Sequence, residues 1–296
     1  MVKIEIDPGA GFCFGVEQVI KTAETHLRHG EVVYGLGEMV HNAAEVRRLQ
    51  ELGLKTIKHE DLTTMPPGKV LFRAHGEPPE TYQMAKSHGV EIIDGTCPIV
   101  ASLQKKIKRA YGEMDHQGEQ LVIFGKADHP ETIGLLGQVN GDAQVVSSVD
   151  DVATIDPSKN VWLFSQTTMD PYLYKEVEKA LEAHLKKGSG ALTRESFRSD
   201  CTICGQMKKR KPGLSEFAPR HDVMLFVSGK NSSNGQMLFE YCKMLNSNTY
   251  WISEAEEINK DWLLGQKTIG ISGATSTSRQ QLESVLGKVK NLTLSL

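Results

Sequence analysis

The chain has 296 residues and a mass of 32.7 kDa, with 39% hydrophobic and 24% charged residues, an ordinary composition for a soluble globular protein. Its formal net charge of −3 argues against a nucleic-acid binder that relies on a broad basic face. No apolar run approaches the roughly 20 residues of a membrane-spanning helix, and the length fits two or three small domains better than one core.

The opening MVKIEID reads as a strand rather than a signal peptide, so the expected location is the cytoplasm, with neither membrane nor nucleic acid as partner. Val16, Ile20, Ala23 and Leu27 form one stripe of a first helix, and Gly30 follows its end. A second helix is expected from Ala43 to Leu52, stopping at Gly53. Strands are expected at 32–34, 69–72, 91–94, 120–124, 161–164, 223–227 and 268–271, alternating with amphipathic helices in an α/β pattern.

The loops after these strands carry the chemistry. KVLF runs into RAHGE, EIID into GTCP, QLVIF into GKADHPE, VWLF into SQTT, VMLFV into SGKNSSN and TIGI into SGATSTS. In open parallel sheets, ligands bind at such carboxyl ends, where helix N-termini also gather. Six loops of small and polar residues point to several α/β units sharing one site. Neither a long Gly/Ser linker nor a tight repeat marks boundaries. Cuts near Cys97 and in the polar segment 186–210 give α/β units at 1–97, 98–200 and 201–296.

Five cysteines are too few and too scattered for a disulfide framework. Cys242, in the helical pattern MLFEYCKML, reads as a small buried hydrophobe. Cys13 in GAGFCFGV and Cys97 in DGTCPIV stand just before helices, and Cys204 lies in CTICGQ. A thiolate at a helix start is stabilised by the dipole and by open backbone N–H groups, which makes it a good metal ligand. Cys97 lies 84 positions after Cys13, and Cys204 lies 107 after Cys97, so such ligands meet only through the fold. A structural zinc site usually shows paired CxxC elements, whereas Cys201 and Cys204 form a single one. Three cysteines are one fewer than a cubane iron–sulfur cluster usually takes, leaving one iron open.

The strings GFCFGV, VHNAAEV, AHG, GTCP, HPET, QTT, TIC, KNSSN and SGATS occur in this order between residue 11 and about residue 278. Together they make the chain resemble the 4-hydroxy-3-methylbut-2-enyl diphosphate reductase family, LytB-type iron–sulfur enzymes of the last step of the non-mevalonate isoprenoid pathway. The resemblance implies three α/β units with mostly parallel sheets in a pseudo-threefold arrangement around a central [4Fe–4S] cluster. It implies that Cys13, Cys97 and Cys204 hold the cluster and leave one iron open. The TIC string and its distance to KNSSN favour Cys204 over Cys201. The chain departs from the family just afterwards, with GQMKKR in place of an alanine–threonine pair, which puts Met207 where a polar contact is expected.

The resemblance further assigns His41, His75, His129, Ser232, Ser233 and Asn234 to the substrate diphosphate. In SGATSTS either Thr275 or Ser276 joins them, and the spacing of Leu282, Val285 and Leu286 favours Ser276. Read singly, the Ser232–Asn234 run is also an ordinary N-cap, and Ser278 with Gln281 forms a capping box. Lys230 is not a phosphate-loop lysine, because the Walker glycine is missing upstream. Glu131 follows Pro130 in a helix's first turn, where both are favoured. The resemblance makes Glu131 the proton source for loss of the substrate hydroxyl, positioned with Thr167. The implied reaction is reductive dehydroxylation to isopentenyl and dimethylallyl diphosphate. The chain lacks GxGxxG after its first strand, so a separate electron donor such as a ferredoxin or flavodoxin is expected. The rivals are a non-redox iron–sulfur hydro-lyase, which needs no reductant, and a zinc-stabilised ligand-binding protein.

Overall fold

The computed structural model describes residues 2–189 and 196–294. In chain order the first elements are β1 (Lys3–Ile6), α1 (Phe14–Arg28), β2 (Val33–Leu36), α2 (Ala43–Glu51), β3 (Lys55–Ile57), β4 (Lys69–Phe72), α3 (Pro79–Ser87), β5 (Glu91–Asp94) and α4 (Pro98–Glu113). There follow β6 (Glu119–Phe124), α5 (Pro130–Gly137), β7 (Gln144–Val146), β8 (Asn160–Ser165), α6 (Pro171–Ser189), β9 (Phe197–Ser199) and α7 (Gly205–Phe217). The last are β10 (Val223–Val227), α8 (Ser233–Leu245), β11 (Thr249–Ile252), β12 (Thr268–Gly273) and α9 (Arg279–Leu294).

Among the described residues the strands form three four-stranded sheets, with orders β1-β12-β10-β11, β3-β2-β4-β5 and β7-β6-β8-β9. Neighbours such as β1 and β12, β10 and β12, β2 and β4, and β6 and β8 run parallel. The chain is an α/β protein. Apart from β1, each sheet draws on one stretch of sequence: 33–94, 119–199 and 223–273. β1 pairs with β12, Ile4 opposite Ile269 and Ile6 opposite Ile271, so the first strand completes the sheet of the last segment.

The chain falls into two compact units, one of Met1–Ile57, Gly68–Leu71 and Lys209–Leu296, the other of Lys58–Pro67 and Phe72–Lys208. The sequence boundary expected in 186–210 falls partly on residues 190–195, which lie outside the described residues. In the first unit β10 is buried along its whole length. Val223, Leu225 and Val227 pack with Ile269, Ile271, Leu282 and Val285 on one face of the sheet. Met224 and Phe226, of opposite parity, pack with Leu214, Leu238 and Cys242 on the other. In the second unit Leu121, Ile123 and Phe164 pack under Leu103, Ile107 and Leu135 of α4 and α5.

Parallel pairing decides where the polar loops go. Because β1, β12 and β10 are neighbours, the loops at their carboxyl ends lie side by side in the first unit; β6 and β8 do the same in the second. Among the described residues, no helix is long and apolar enough to cross a membrane.

Candidate functional site

In the first unit, three loops and the start of α2 are tied by polar contacts. Cys13 is the N-cap of α1, and its N–H donates to the Thr275 carbonyl at 3.2 Å. The Thr275 N–H and hydroxyl both donate to Asn234 Oδ1 at 3.4 Å. Ser232 caps α8 by accepting from the Gly235 N–H at 3.0 Å, and its Oγ lies 3.2 Å from Ser276 Oγ. Ser232 and Ser276 are both buried, Ser233 and Asn234 half-buried. Thus Ser276 stands beside Ser232, while Thr275 stands beside Asn234 and Cys13.

Asn42 links the remaining piece. Its Nδ2 donates to the Ser276 carbonyl at 2.9 Å and to Gln281 Oε1 at 2.7 Å, while its Oδ1 caps α2. Beside it, half-buried His41 presses its backbone against Gly229, where an added Cβ would lie 2.6 Å from the His41 carbonyl oxygen. Only glycine permits that approach. Ser278 and Gln281 make the reciprocal cap of α9, at 3.2 and 3.1 Å.

The second unit holds the ionisable part. Glu131, 1% exposed, accepts from the Thr167 N–H at 2.6 Å and from the Thr167 hydroxyl at 2.8 Å. Burial pushes the Glu131 carboxyl up to about 7, and the two Thr167 bonds only partly counter it. A helix N-terminus normally favours the carboxylate, but this side chain leaves its own helix for Thr167. His129 is the N-cap of α5, and its Nδ1 accepts from the Glu131 N–H at 3.1 Å. That bond fixes the neutral tautomer with its proton on Nε2. The His129 ring meets His75 edge-on, with centroids 5.2 Å apart.

Two cysteines adjoin this group. Cys97 is the N-cap of α4, and its N–H donates to the carbonyl of Ala74, next to His75, at 3.0 Å. Cys204 immediately precedes α7, and its N–H donates to the Thr167 carbonyl at 2.9 Å. The carbonyl of Cys201 accepts instead from Lys208 Nζ at 3.3 Å. Cys13, Cys97 and Cys204 are half-buried thiols outside disulfides, each at a helix start; Cys242 is fully buried, its thiol pushed up to about 11. Soft, partly accessible sulfurs at helix starts are suitable donors for an iron–sulfur group. Cys242 is not such a donor.

A family model for the LytB protein matches residues 4–290. The chain belongs to the LytB family. A 4-hydroxy-3-methylbut-2-enyl diphosphate reductase of Bacteroides fragilis is 47% identical over 290 residues, covering 98% of both chains. One of Parabacteroides distasonis is 43% identical over 295 residues, covering 100% of both. A solved structure of (E)-4-hydroxy-3-methyl-but-2-enyl diphosphate reductase, described as the terminal enzyme of the non-mevalonate pathway, is 34% identical with a TM-score of 0.72. It covers 98% of this chain, and this chain covers all of it. A Plasmodium falciparum structure at 23% identity and a TM-score of 0.80 shares the fold. LytB enzymes are iron–sulfur proteins.

Several residues of this LytB chain that brace the loops escape sequence reading. Arg210, 4% exposed, donates to Asp7 Oδ2 at 3.1 Å, to Ser272 Oγ at 3.2 Å and to the Gly273 carbonyl at 2.8 Å. Asp7 in turn accepts from Ser272 Oγ at 2.7 Å and from the Gly9 N–H at 2.8 Å, which holds the loop leading to Cys13. Within the run KKRKP nothing separates a buried arginine from its solvated neighbours except helical period: Met207, Arg210 and Leu214 are buried together. Asn42 stood in the matched string VHNAAEV, but its partners lie more than two hundred residues away in sequence. Lys230 is occupied on the surface, with Nζ 3.2 Å from the Trp251 carbonyl and 3.4 Å from Glu257.

Proposed function

We propose that this chain reduces (E)-4-hydroxy-3-methylbut-2-enyl diphosphate to isopentenyl and dimethylallyl diphosphates, the activity for which its relatives are named. The observation that carries the reading is the buried Glu131 carboxyl in the first turn of α5, titrating at about 7 and bonded twice to Thr167, whose carbonyl accepts from the Cys204 N–H. The ligands assigned to a [4Fe–4S] cluster are Cys13, Cys97 and Cys204, with one iron left open. Their chemistry supports this, since all three are helix-start thiols. When bound, the cluster supplies two electrons and a Lewis-acidic iron.

The residues of the chain do the rest. One turnover breaks the substrate C–O bond, forms a C–H bond and releases water, consuming two electrons and two protons. At neutral pH a large share of Glu131 is protonated, which suits a general acid. Protonated Oε2 donates to Thr167 Oγ1, 2.8 Å away, and the Thr167 hydroxyl then donates to the departing oxygen. Ser232, Ser233, Asn234, Ser276 and the imidazoles of His41, His75 and His129 are assigned to the diphosphate. None of these is a lysine or arginine, and helix N-termini add to them: Ser232 caps α8 and His129 caps α5. Electrons come from a separate carrier such as a ferredoxin or flavodoxin, and thiols outside disulfides fit the reducing cytoplasm.

An anaerobic assay with reduced viologen dye and the hydroxylated allylic diphosphate tests the reading. Substrate-dependent dye oxidation yielding both five-carbon diphosphates is expected. Turnover without any reductant indicates the hydro-lyase, and stoichiometric zinc without sulfide indicates the zinc protein; either result overturns the reductase.

A further inference from the structure

The two helices that follow Cys97 and Cys204 carry the densest basic runs of the chain. Residues 97–113 hold Lys105, Lys106, Lys108 and Arg109 against Glu113 alone, and residues 197–211 hold five basic residues against Asp200. These two segments are together at +7 in a chain of net charge −3, which leaves the remainder at −10. On α4 the inward positions are Leu103, Gln104, Ile107 and Ala110, while Lys105, Lys106, Lys108 and Arg109 are exposed. A solvated helix face usually mixes signs, as α6 does with Lys175, Glu176, Glu178, Lys179 and Glu182. Between Lys105 and Arg109 the outward turns of α4 carry basic charge alone, and Glu113 follows at the end of the helix.

The second unit joins this face to the strand before Cys204. Lys106 forms an ion pair with Asp200, and the Arg198 guanidinium lies over the half-buried Trp162 ring at 4.1 Å. Lys106, Arg109, Trp162 and Arg198 line a groove of about 360 Å³ together with Glu113 and Asp200, which pair with Arg109 and Lys106. Basic side chains around a partly exposed aromatic are a common make-up for a protein-binding surface. Lys105 is eight residues along α4 from Cys97, about 12 Å at ~1.5 Å per residue. Asp200 is four residues before Cys204.

We infer that the exposed basic face of α4, with the groove beside it, is the docking face of an acidic one-electron carrier protein. The inference rests on the reductase reading and adds the surface at which the reductant arrives. A one-electron carrier must bind, give up its electron and leave twice per turnover, being oxidised by one electron each time. Charge-steered association through a small patch suits that exchange, because it speeds encounter without slowing release. A nucleic acid would also favour basic charge, but the remaining −10 repels a long polyanion and tolerates a compact one.

The test compares the wild type with the triple variant Lys105→Glu/Lys108→Glu/Arg109→Glu in two assays, one driven by reduced methyl viologen and one by reduced flavodoxin. We expect KM for flavodoxin to rise about tenfold at low salt, and the difference to shrink near 0.5 M NaCl, where charges are screened within roughly 4 Å. The viologen-driven rate and the iron and sulfide content should not fall. Lys290→Glu, on the last helix of the other unit, changes the net charge without altering any residue of this face and should leave KM unaltered. An unchanged KM in the triple variant, an equal loss in both assays, or an equal rise in Lys290→Glu overturns the docking face. Tighter retention of RNA than of flavodoxin by the wild type overturns the choice of partner. If wild-type protein fails with viologen, the reductase reading itself falls, and the docking face falls with it.

Discussion

Replacing Glu131 by Gln removes an ionisable group while keeping the shape of its protonated form. A Gln amide can accept from the Thr167 N–H and donate to Thr167 Oγ1, as the neutral carboxyl does. The wild-type carboxyl titrates at about 7 when folded, against 4.5 for the ordinary group. An acid whose pKa is raised by folding holds its proton more tightly in the native state. Its contribution to stability is therefore full below 4.5 and declines as pH rises to about 7, beyond which it is flat. A shift of this size corresponds to about 3 kcal/mol in all, of which about 2 kcal/mol falls between about pH 5.5 and about pH 8.5. Urea unfolding of both proteins at those two pH values should show the variant gaining about 2 kcal/mol on the wild type from the lower to the higher. Infrared difference spectra should show a protonated-carboxyl band that is lost over the same range in the wild type and absent from the variant. Turnover should drop by about 10²-fold or more, the usual worth of a general acid, with iron content and substrate binding kept. A stability difference that stays flat with pH would refute the buried-acid argument, and unimpaired turnover would refute the proton-donor role.

Thr167→Val removes the hydroxyl that lowers the Glu131 pKa, so the carboxyl should titrate above about 7 and turnover should fall. The pH–rate profile driven by viologen reads both effects, and an unshifted profile with full activity excludes the relay. Replacing Cys13, Cys97 or Cys204 by Ser should abolish the cluster, measured as iron and sulfide per chain, whereas Cys201→Ser and Cys242→Ser should retain it. A cluster lost in Cys201→Ser and kept in Cys204→Ser would reverse the assignment made from the TIC string. Arg210→Met leaves the Asp7 carboxylate buried without its cation and should cost about 3–5 kcal/mol in urea unfolding. The double variant Asp7→Asn/Arg210→Met should recover much of that loss; equal cost in both would mean that packing, not charge, holds the pair.

The order of elements was legible because it rests on local physics. Short continuous apolar runs marked KVLF, EIID and VMLFV to the residue, and stripes at helical spacing with a following glycine marked α1 and α2. Gly30 and Gly53 do adopt the left-handed backbone, at φ of 75° and 105°. The short edge strands β3, β7, β9 and β11 were not seen. KTI, QVV and FRS are only three residues long, and pairing with a neighbour is what makes them, like TYWI, strands. The capping roles of Ser232 and of Ser278 with Gln281 were also local, hence readable.

What sequence alone could not decide is everything that depends on which carboxyl ends are neighbours. That β1 joins β12 follows from burial of Ile4 and Ile6 against the last sheet, and it brings the Cys13 loop to Thr275. Nothing near Asn42 announces a bond to Gln281, and nothing in KKRKP announces that Arg210 faces Asp7. Glu131 shows the limit most clearly. Its neighbours in sequence describe a first-turn carboxylate favoured in ionised form, whereas its tertiary environment, with Thr167 of a loop 36 residues away against it, buries it and raises its pKa. Residue types and their order follow from the chain itself. A proton affinity is set by desolvation and partner geometry, and those exist only once distant segments have packed.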